Sequence, residues 1–512
     1  MGSTAPDQPL VDQPLVGLTI RTEPLPVRWQ EIFSLAAIVA VADVTLYRAA
    51  GFAGPAVAAL ALPLLLIVGV TRPRLGPDMG WNALLLVAVS LRLLWCGGPL
   101  AVMSALVLMT MFAMTLTGSR PFLGRIAGFL VRTAGWGVRG AAEYVCLAFG
   151  ALPGGWARRI RRPAAFAMPA MAVAAFGGLF LLANPALIRH VREALIAVQE
   201  QLRIWLQNLS VLEVLFCGVV GWLTIGVLRC RGPVEAGVLE DEHATPANAP
   251  LDDDIYQGYR NTLAAVATTF GAYLLFECVT IWVRGTPEAG FDYAGYAHEG
   301  AFWLTVALAL STGVLCLIFR GSTLIDARLP TLRRWGAIWA VQNVVLALAV
   351  FYRLWLYVDF NGLTRLRVVG ALGTAAVAAG LLLTLIKIRS NRSAAWLLRR
   401  QMWALGVAVL LYVLPPVDRW VTQYNVSRLM AGRSAPAVYA NQVGNSTEGL
   451  LMLAPLLDAP DPEVRQLTAL RLAEKRASLR SAGEHWSAWQ LADRRFERQL
   501  SALAPRLPAA PE

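Results

Sequence analysis

The chain has 512 residues, 57% of them hydrophobic and only 15% charged, with a mean hydropathy of +0.54. A soluble chain carries about 25% charged residues, so this composition excludes an ordinary soluble enzyme. The formal charge of +12 comes from arginines placed between apolar segments, a positive-inside pattern that argues for a membrane and against nucleic acid.

A bilayer core about 30 Å thick needs about 20 apolar residues per helix, and about eleven stretches satisfy that length. The start, 1–28, is polar and lacks a cationic lead into a short apolar core, so an uncleaved first helix is expected. Spans follow at 32–47, 51–70, 81–95 and 100–117. The segment 120–162 mixes arginines with apolar residues and reads as an interfacial helix, over 122–151, followed by a basic loop. A fifth span is expected at 164–183. After it, Ile188, Val191, Leu195, Val198, Leu202, Trp205 and Leu209 share one helical face, which makes 187–209 an amphipathic surface helix or partner-docking helix. Spans at 211–228, 259–283, 300–319, 335–357, 366–386 and 394–414 complete the set, with an acidic loop at 229–257. Spanning strands need only about 10 alternating residues, so segment length selects helices.

The basic connections, at Arg72 and Arg74, 120–162, 320–334 and 387–400, alternate with cation-poor ones at 96–99, 284–299 and 359–364. Eleven spans then place a cytoplasmic tail at 1–30, a helix bundle at 31–414 and an extracytoplasmic helical region at 415–512. Within that last region, Asp461-Pro462-Glu463 is a helix start. Trp489, Phe496, Leu500 and Leu503 recur with helical spacing. The fold class expected is therefore all-α, a polytopic membrane bundle with a small extracytoplasmic helical domain.

Six cysteines, Cys96, Cys146, Cys217, Cys230, Cys278 and Cys316, form no CxxC and have no histidine at ligand spacing. Free thiols are expected, with no metal site and no cofactor. HExxH, GxSxG and nucleotide-binding P-loop patterns are absent. The pointers that remain are ionisable residues inside spans, each costing about 2.5–3.5 kcal/mol at a helix centre. Asp43, Glu277 and Arg353 stand out, and in the orientation above they share an outer-leaflet depth to within roughly 6–10 Å.

The stretch Tyr352-Arg353-Leu354-Trp355-Leu356-Tyr357-Val358-Asp359-Phe360-Asn361-Gly362-Leu363-Thr364-Arg365-Leu366-Arg367 resembles the signature of the bacterial membrane family DUF4173, related to DUF4153. Arg353, Tyr357, Gly362, Leu363, Thr364 and Arg367 match, and Asn361 replaces an aromatic residue. Phe291 to Phe302 and Val417 to Arg428 resemble two further elements of that family, with His298 and Asp418 as departures. The resemblance spans roughly 32–441 and implies a polytopic bacterial inner-membrane protein with no assigned activity. In physical terms Gly362 suits a tight turn and Thr364 a helix cap. Arg365 and Arg367 are then aimed at headgroups or at the C-terminal domain.

Three functions fit these features. One is an envelope-associated scaffold with the lipid bilayer and a protein partner as its contacts, engaged through the C-terminal region or 187–209. A second is a small-solute or proton-coupled transporter using Asp43, Glu277 and Arg353. A third, a transferase acting on lipid-linked substrates, is weakened by the very short connection at 48–50.

Overall fold

A computed structural model describes residues 27–150, 196, 210–230, 252–279, 293–432 and 446–503, apart from short gaps at 71–72, 74–75, 320, 325, 391 and 482–484. The expected span at 164–183, the amphipathic stretch 187–209 except Ile196, and most of the acidic loop lie outside the described residues. Every regular element described is helical.

Among the described residues, seven helices are long and apolar enough to cross a bilayer. They are α1 (Trp29–Ala42, continued by a π turn to Tyr47), α3 (Pro77–Cys96), α4 (Pro99–Leu116), α6 (Val211–Leu228), α9 (Leu329–Asn361), α10 (Arg365–Arg389) and α11 (Ala394–Val413). Two expected spans correspond to shorter apolar helices: α2 (Ala53–Gly69) and the apolar part of α8 (Tyr293–Ile318). The expected span at 259–283 falls on α7 (Asp253–Glu277), which starts earlier because Asp252 caps it, accepting from the Asp254 amide at 3.4 Å. α9 likewise exceeds the expected 335–357: Pro330 opens it and Gly362 closes it, giving 33 residues, about 50 Å at 1.5 Å per residue. Its ends therefore project past a hydrocarbon layer about 30 Å thick.

Lipid-facing surface is visible as exposed apolar side chains. α11 buries only Leu397 and Val413, while Leu398, Leu405, Val407 and Leu411 are exposed. In water such a face would be a large unfavourable patch; in lipid it is the expected outer surface. The interior is close-packed in two groups. Ala56 and Ala59 of α2 let α3 and α4 approach, enclosing Leu86, Val89, Leu93, Leu108 and Phe112. Tyr256 and Leu263 of α7 pack with Leu315 and Phe319 of α8, Trp339 of α9 and Leu381 of α10. α11 joins the groups, since it packs on α10 and its Val413 completes the first core.

α5 (Ile126–Gly150) packs against α6. Its Phe129 packs with Val227, while Glu143 pairs with Arg229 and Tyr144 stacks under that same guanidinium at 4.4 Å. Closer to the middle of α5, Gly137 lies against Trp222, and Thr133 against Gly226, so the helix packs on the second half of α6.

Beyond α11 come α12 (Val417–Met430), the single turn α13 (Thr447–Leu450), α14 (Pro462–Ser481) and α15 (Leu491–Leu503). Their core is Leu450, Leu453, Leu456, Val464, Leu472, Phe496 and Leu500. The Asp461 carboxylate accepts from the Glu463 amide at 2.9 Å and opens α14. Trp489 departs from the expected helical stripe: it precedes α15 and is exposed, because the chain leaves a 3-10 turn (Trp486–Ala488) there.

Candidate functional site

The bundle has two distinct ends, and polar side chains define both. At one end Arg229 Nε reaches Glu31 Oε1 at 2.7 Å, linking the end of α6 to the start of α1. Arg328 reaches Asp253 at 2.6 Å, linking the starts of α9 and α7, and the buried Lys387 donates to the Phe319 carbonyl at 2.8 Å, linking the ends of α10 and α8. Arg120, Arg125 and Arg399 lie at this end too.

The other end carries the C-terminal helices. They grip three separate helix-helix turns. The Ala50 amide, between α1 and α2, donates to Ser487 Oγ at 2.8 Å. The Gly97 amide, between α3 and α4, donates to Gln490 Oε1 at 3.0 Å. The Leu363 amide and carbonyl, between α9 and α10, both bond the Asn425 carboxamide at 2.8 Å. Gly51 shows how close this approach is: a Cβ there would lie 2.7 Å from Ala488 Cα, so only glycine fits.

The signature residues build the third grip. Gly362 has φ +78° and ψ 179°, a conformation essentially confined to glycine, and it ends α9. Thr364 Oγ1 accepts from the Arg367 amide at 3.3 Å and caps α10. Arg367 lies 3.9 Å over the Tyr357 ring and donates to the Asn361 carbonyl at 2.8 Å, so it stiffens the turn from within rather than facing headgroups. Arg428 of α12 meets Asp359 at 2.6 Å, and Arg365 meets Asp418 of α12 at 2.6 Å. The stretches 352–367 and 417–428, recognised separately in the sequence, are two halves of one interface.

Beneath this seam lies a cavity of about 470 Å³, lined by Arg92, Arg365, Lys475, Asp418, Asp493 and Thr447 among others. Arg92 of α3, on its wall, pairs with the fully buried Glu448, 2.7 Å away. Arg92 also donates to the Val413 carbonyl at 3.1 Å. Burial pushes the Glu448 carboxyl above its ordinary range, with Arg92 opposing the shift. Asn425 lies in the recognised stretch 417–428, whereas Arg92, Glu448, Ser487 and Gln490 were not singled out by sequence. Among those four, Arg92 carried a signal, as a charge inside the apolar segment 81–95.

Of the three intramembrane residues selected by sequence, two meet. Arg353 Nε lies 2.7 Å from Glu277 Oε1 and its Nη2 lies 2.5 Å from Oε2, with both side chains buried. The Tyr273 hydroxyl donates to Glu277 at 3.0 Å. This is a bidentate clamp between α7 and α9. Asp43 belongs to a different set. It lies 3.0 Å from Arg48, which also pairs with Glu213 at the start of α6.

A family model described as a domain of unknown function (DUF4153) matches residues 32–451. It is the relative of the family suggested by the signature residues. No curated protein and no solved structure matches the chain.

Proposed function

We propose that this chain, which belongs to the DUF4153 family, is an envelope-associated scaffold: an integral membrane bundle that holds its C-terminal helices as a fixed platform outside the cytoplasm. The observation that carries this reading is the triple grip at Ala50, Gly97 and Leu363, where backbone groups of three turns are bonded to Ser487, Gln490 and Asn425. Immobilising a platform at three points lowers the ordering cost of binding a partner. Trp486, Trp489 and Leu491 are exposed beside the gripped turns, and exposed tryptophans are the residue type most enriched where protein partners bind.

The orientation behind this reading puts 1–30 in the cytoplasm and 415–512 outside. It is supported by the gathering of Arg120, Arg125, Arg328, Lys387 and Arg399 at the end opposite the platform. In a cysteine-free background, Ser501→Cys, at an exposed position, should react with a membrane-impermeant maleimide on intact spheroplasts. Protection until lysis would overturn the orientation.

The Glu277–Arg353 clamp is closed, which favours a structural tie over a proton-coupling pair. A photocrosslinker at Trp489 should therefore capture a discrete partner in cells expressing either the native chain or Glu277→Gln. Reconstituted vesicles that show a proton or solute flux abolished by Glu277→Gln would replace the scaffold with a transporter.

A further inference from the structure

The cavity beneath the seam is lined by charges that are matched and charges that are not. Arg92 is matched by Glu448 at 2.7 Å, and Arg365 by Asp418 at 2.6 Å. Lys475 of α14 and Asp493 of α15 line the same cavity, and among the described residues neither forms an ion pair, with each other or with a neighbour. Asp493 Oδ1 accepts from the Thr447 hydroxyl at 2.5 Å, and a carboxylate keeps further lone pairs for N–H donors. Another part of the wall is the start of α4, from Gly97 to Ala101, where no side chain caps the helix. First-turn amides have no partner inside their helix and favour an anion. The cavity thus offers an unmatched ammonium, an uncapped helix start and an unmatched carboxylate. A ligand that answers all three carries an anionic group and a protonated amine.

The cavity sits at headgroup depth. α3 and α4 are both apolar enough to span a bilayer, and the short turn between them, 96–99, lines the cavity, so that turn stands where the hydrocarbon ends. Next to it runs a groove of about 710 Å³ between α3, α4 and α11, with Leu85 and Val409 on its wall. Leu100, Met103 and Val107 follow one another at three- and four-residue steps on α4 and form one apolar stripe of that wall. Leu100 lines the cavity as well, so the polar chamber adjoins the apolar crevice. Within the bilayer such a crevice is filled by acyl chains rather than water. A headgroup with negative charge alone leaves Asp493 unmatched, and a choline group has no N–H to give it.

We propose that the cavity binds the phosphoethanolamine headgroup of a phospholipid, with the phosphate at Lys475 and the start of α4, the ammonium at Asp493 and an acyl chain in the groove along Met103 and Val107. The test uses the full chain purified in detergent. It is titrated with phosphatidylethanolamine, phosphatidylglycerol and phosphatidylcholine of identical acyl chains, and bound lipid is counted by native mass spectrometry. Phosphatidylethanolamine should bind roughly tenfold more tightly than either of the others. Asp493→Asn, which keeps an acceptor for Thr447, should remove that preference. Lys475→Gln should weaken phosphatidylethanolamine about tenfold, and Glu474→Gln, at the exposed position beside it, should change nothing. Free phosphoethanolamine should compete only at much higher concentration than the lipid. Met103→Trp, at an exposed position on the groove wall, leaves the cavity charges in place and should weaken the lipid alone. Equal binding of the three lipids, or a preference that survives Asp493→Asn, would overturn the site. Free phosphoethanolamine binding as tightly as the lipid, with Met103→Trp without effect, would overturn the lipid as its source in favour of a soluble ligand.

Discussion

At the platform end of the bundle, arginines meet acids delivered by remote parts of the chain: Arg92 with Glu448, Arg365 with Asp418, Arg428 with Asp359. At the opposite end Arg229 and Arg328 are tied to Glu31 and Asp253, acids on neighbouring membrane helices, and Arg120, Arg125 and Arg399 line a groove between α3, α4 and α11. One residue type thus serves two purposes. Paired across elements, it locks the C-terminal helices to the membrane helices. At the opposite end it ties membrane helices to one another, Arg229 joining α6 to α1 and Arg328 joining α9 to α7.

The contrast can be broken most severely inside the bundle. Arg353→Ala leaves Glu277 buried without its bidentate partner and should cost about 3–5 kcal/mol, read as a fall in thermal unfolding in detergent. Replacing both residues by methionine should cost less than either single alanine change, because no charge is then stranded.

At the seam, Glu448→Ala should cost about 2–3 kcal/mol, somewhat less because Arg92 keeps its bond to the Val413 carbonyl. Limited proteolysis between 430 and 446 should then release the C-terminal helices, while Arg353→Ala should lower stability without freeing them preferentially. The pH dependence has a definite sign. The folded Glu448 carboxyl holds its proton above the ordinary value of 4.5, because burial outweighs the nearby arginine. The folded state therefore binds more protons than the unfolded one in that window, and stability contributed by this group falls as pH rises through the raised value. Glu448→Gln should flatten that slope in pH-resolved melting curves.

Asn425→Ala removes both bonds to the Leu363 backbone and should loosen the third grip by about 1–2 kcal/mol, visible as faster amide exchange at Leu363. Arg365→Gln breaks a half-exposed pair and should cost less than about 1 kcal/mol, with unchanged protection from proteolysis. An effect as large as that of Glu448→Ala would mean the seam is held from its rim rather than from its buried pair.

Local features were legible before the structure. Apolar stretches located the spanning helices, Asp461-Pro462 located the start of α14, and Gly362 and Thr364 marked a turn and a cap that the backbone adopts. Less legible were helix lengths, since α7 and α9 extend past their apolar parts into charged residues. Asp43, Glu277 and Arg353 were grouped by depth, but depth along a helix says nothing about which helices are neighbours. α7 packs on α9, whereas the end of α1 packs on α6.

Hydrophobic length and turn chemistry act between near neighbours in the chain, so the sequence alone determined that this is a bundle of membrane helices with a helical C-terminal region. The choice of partners belongs to the tertiary structure. Arg353 finds Glu277 across 76 residues, and Arg92 finds Glu448 across 356. Such pairs form only where packing removes both charges from water together, and that juxtaposition is a property of the assembled helices.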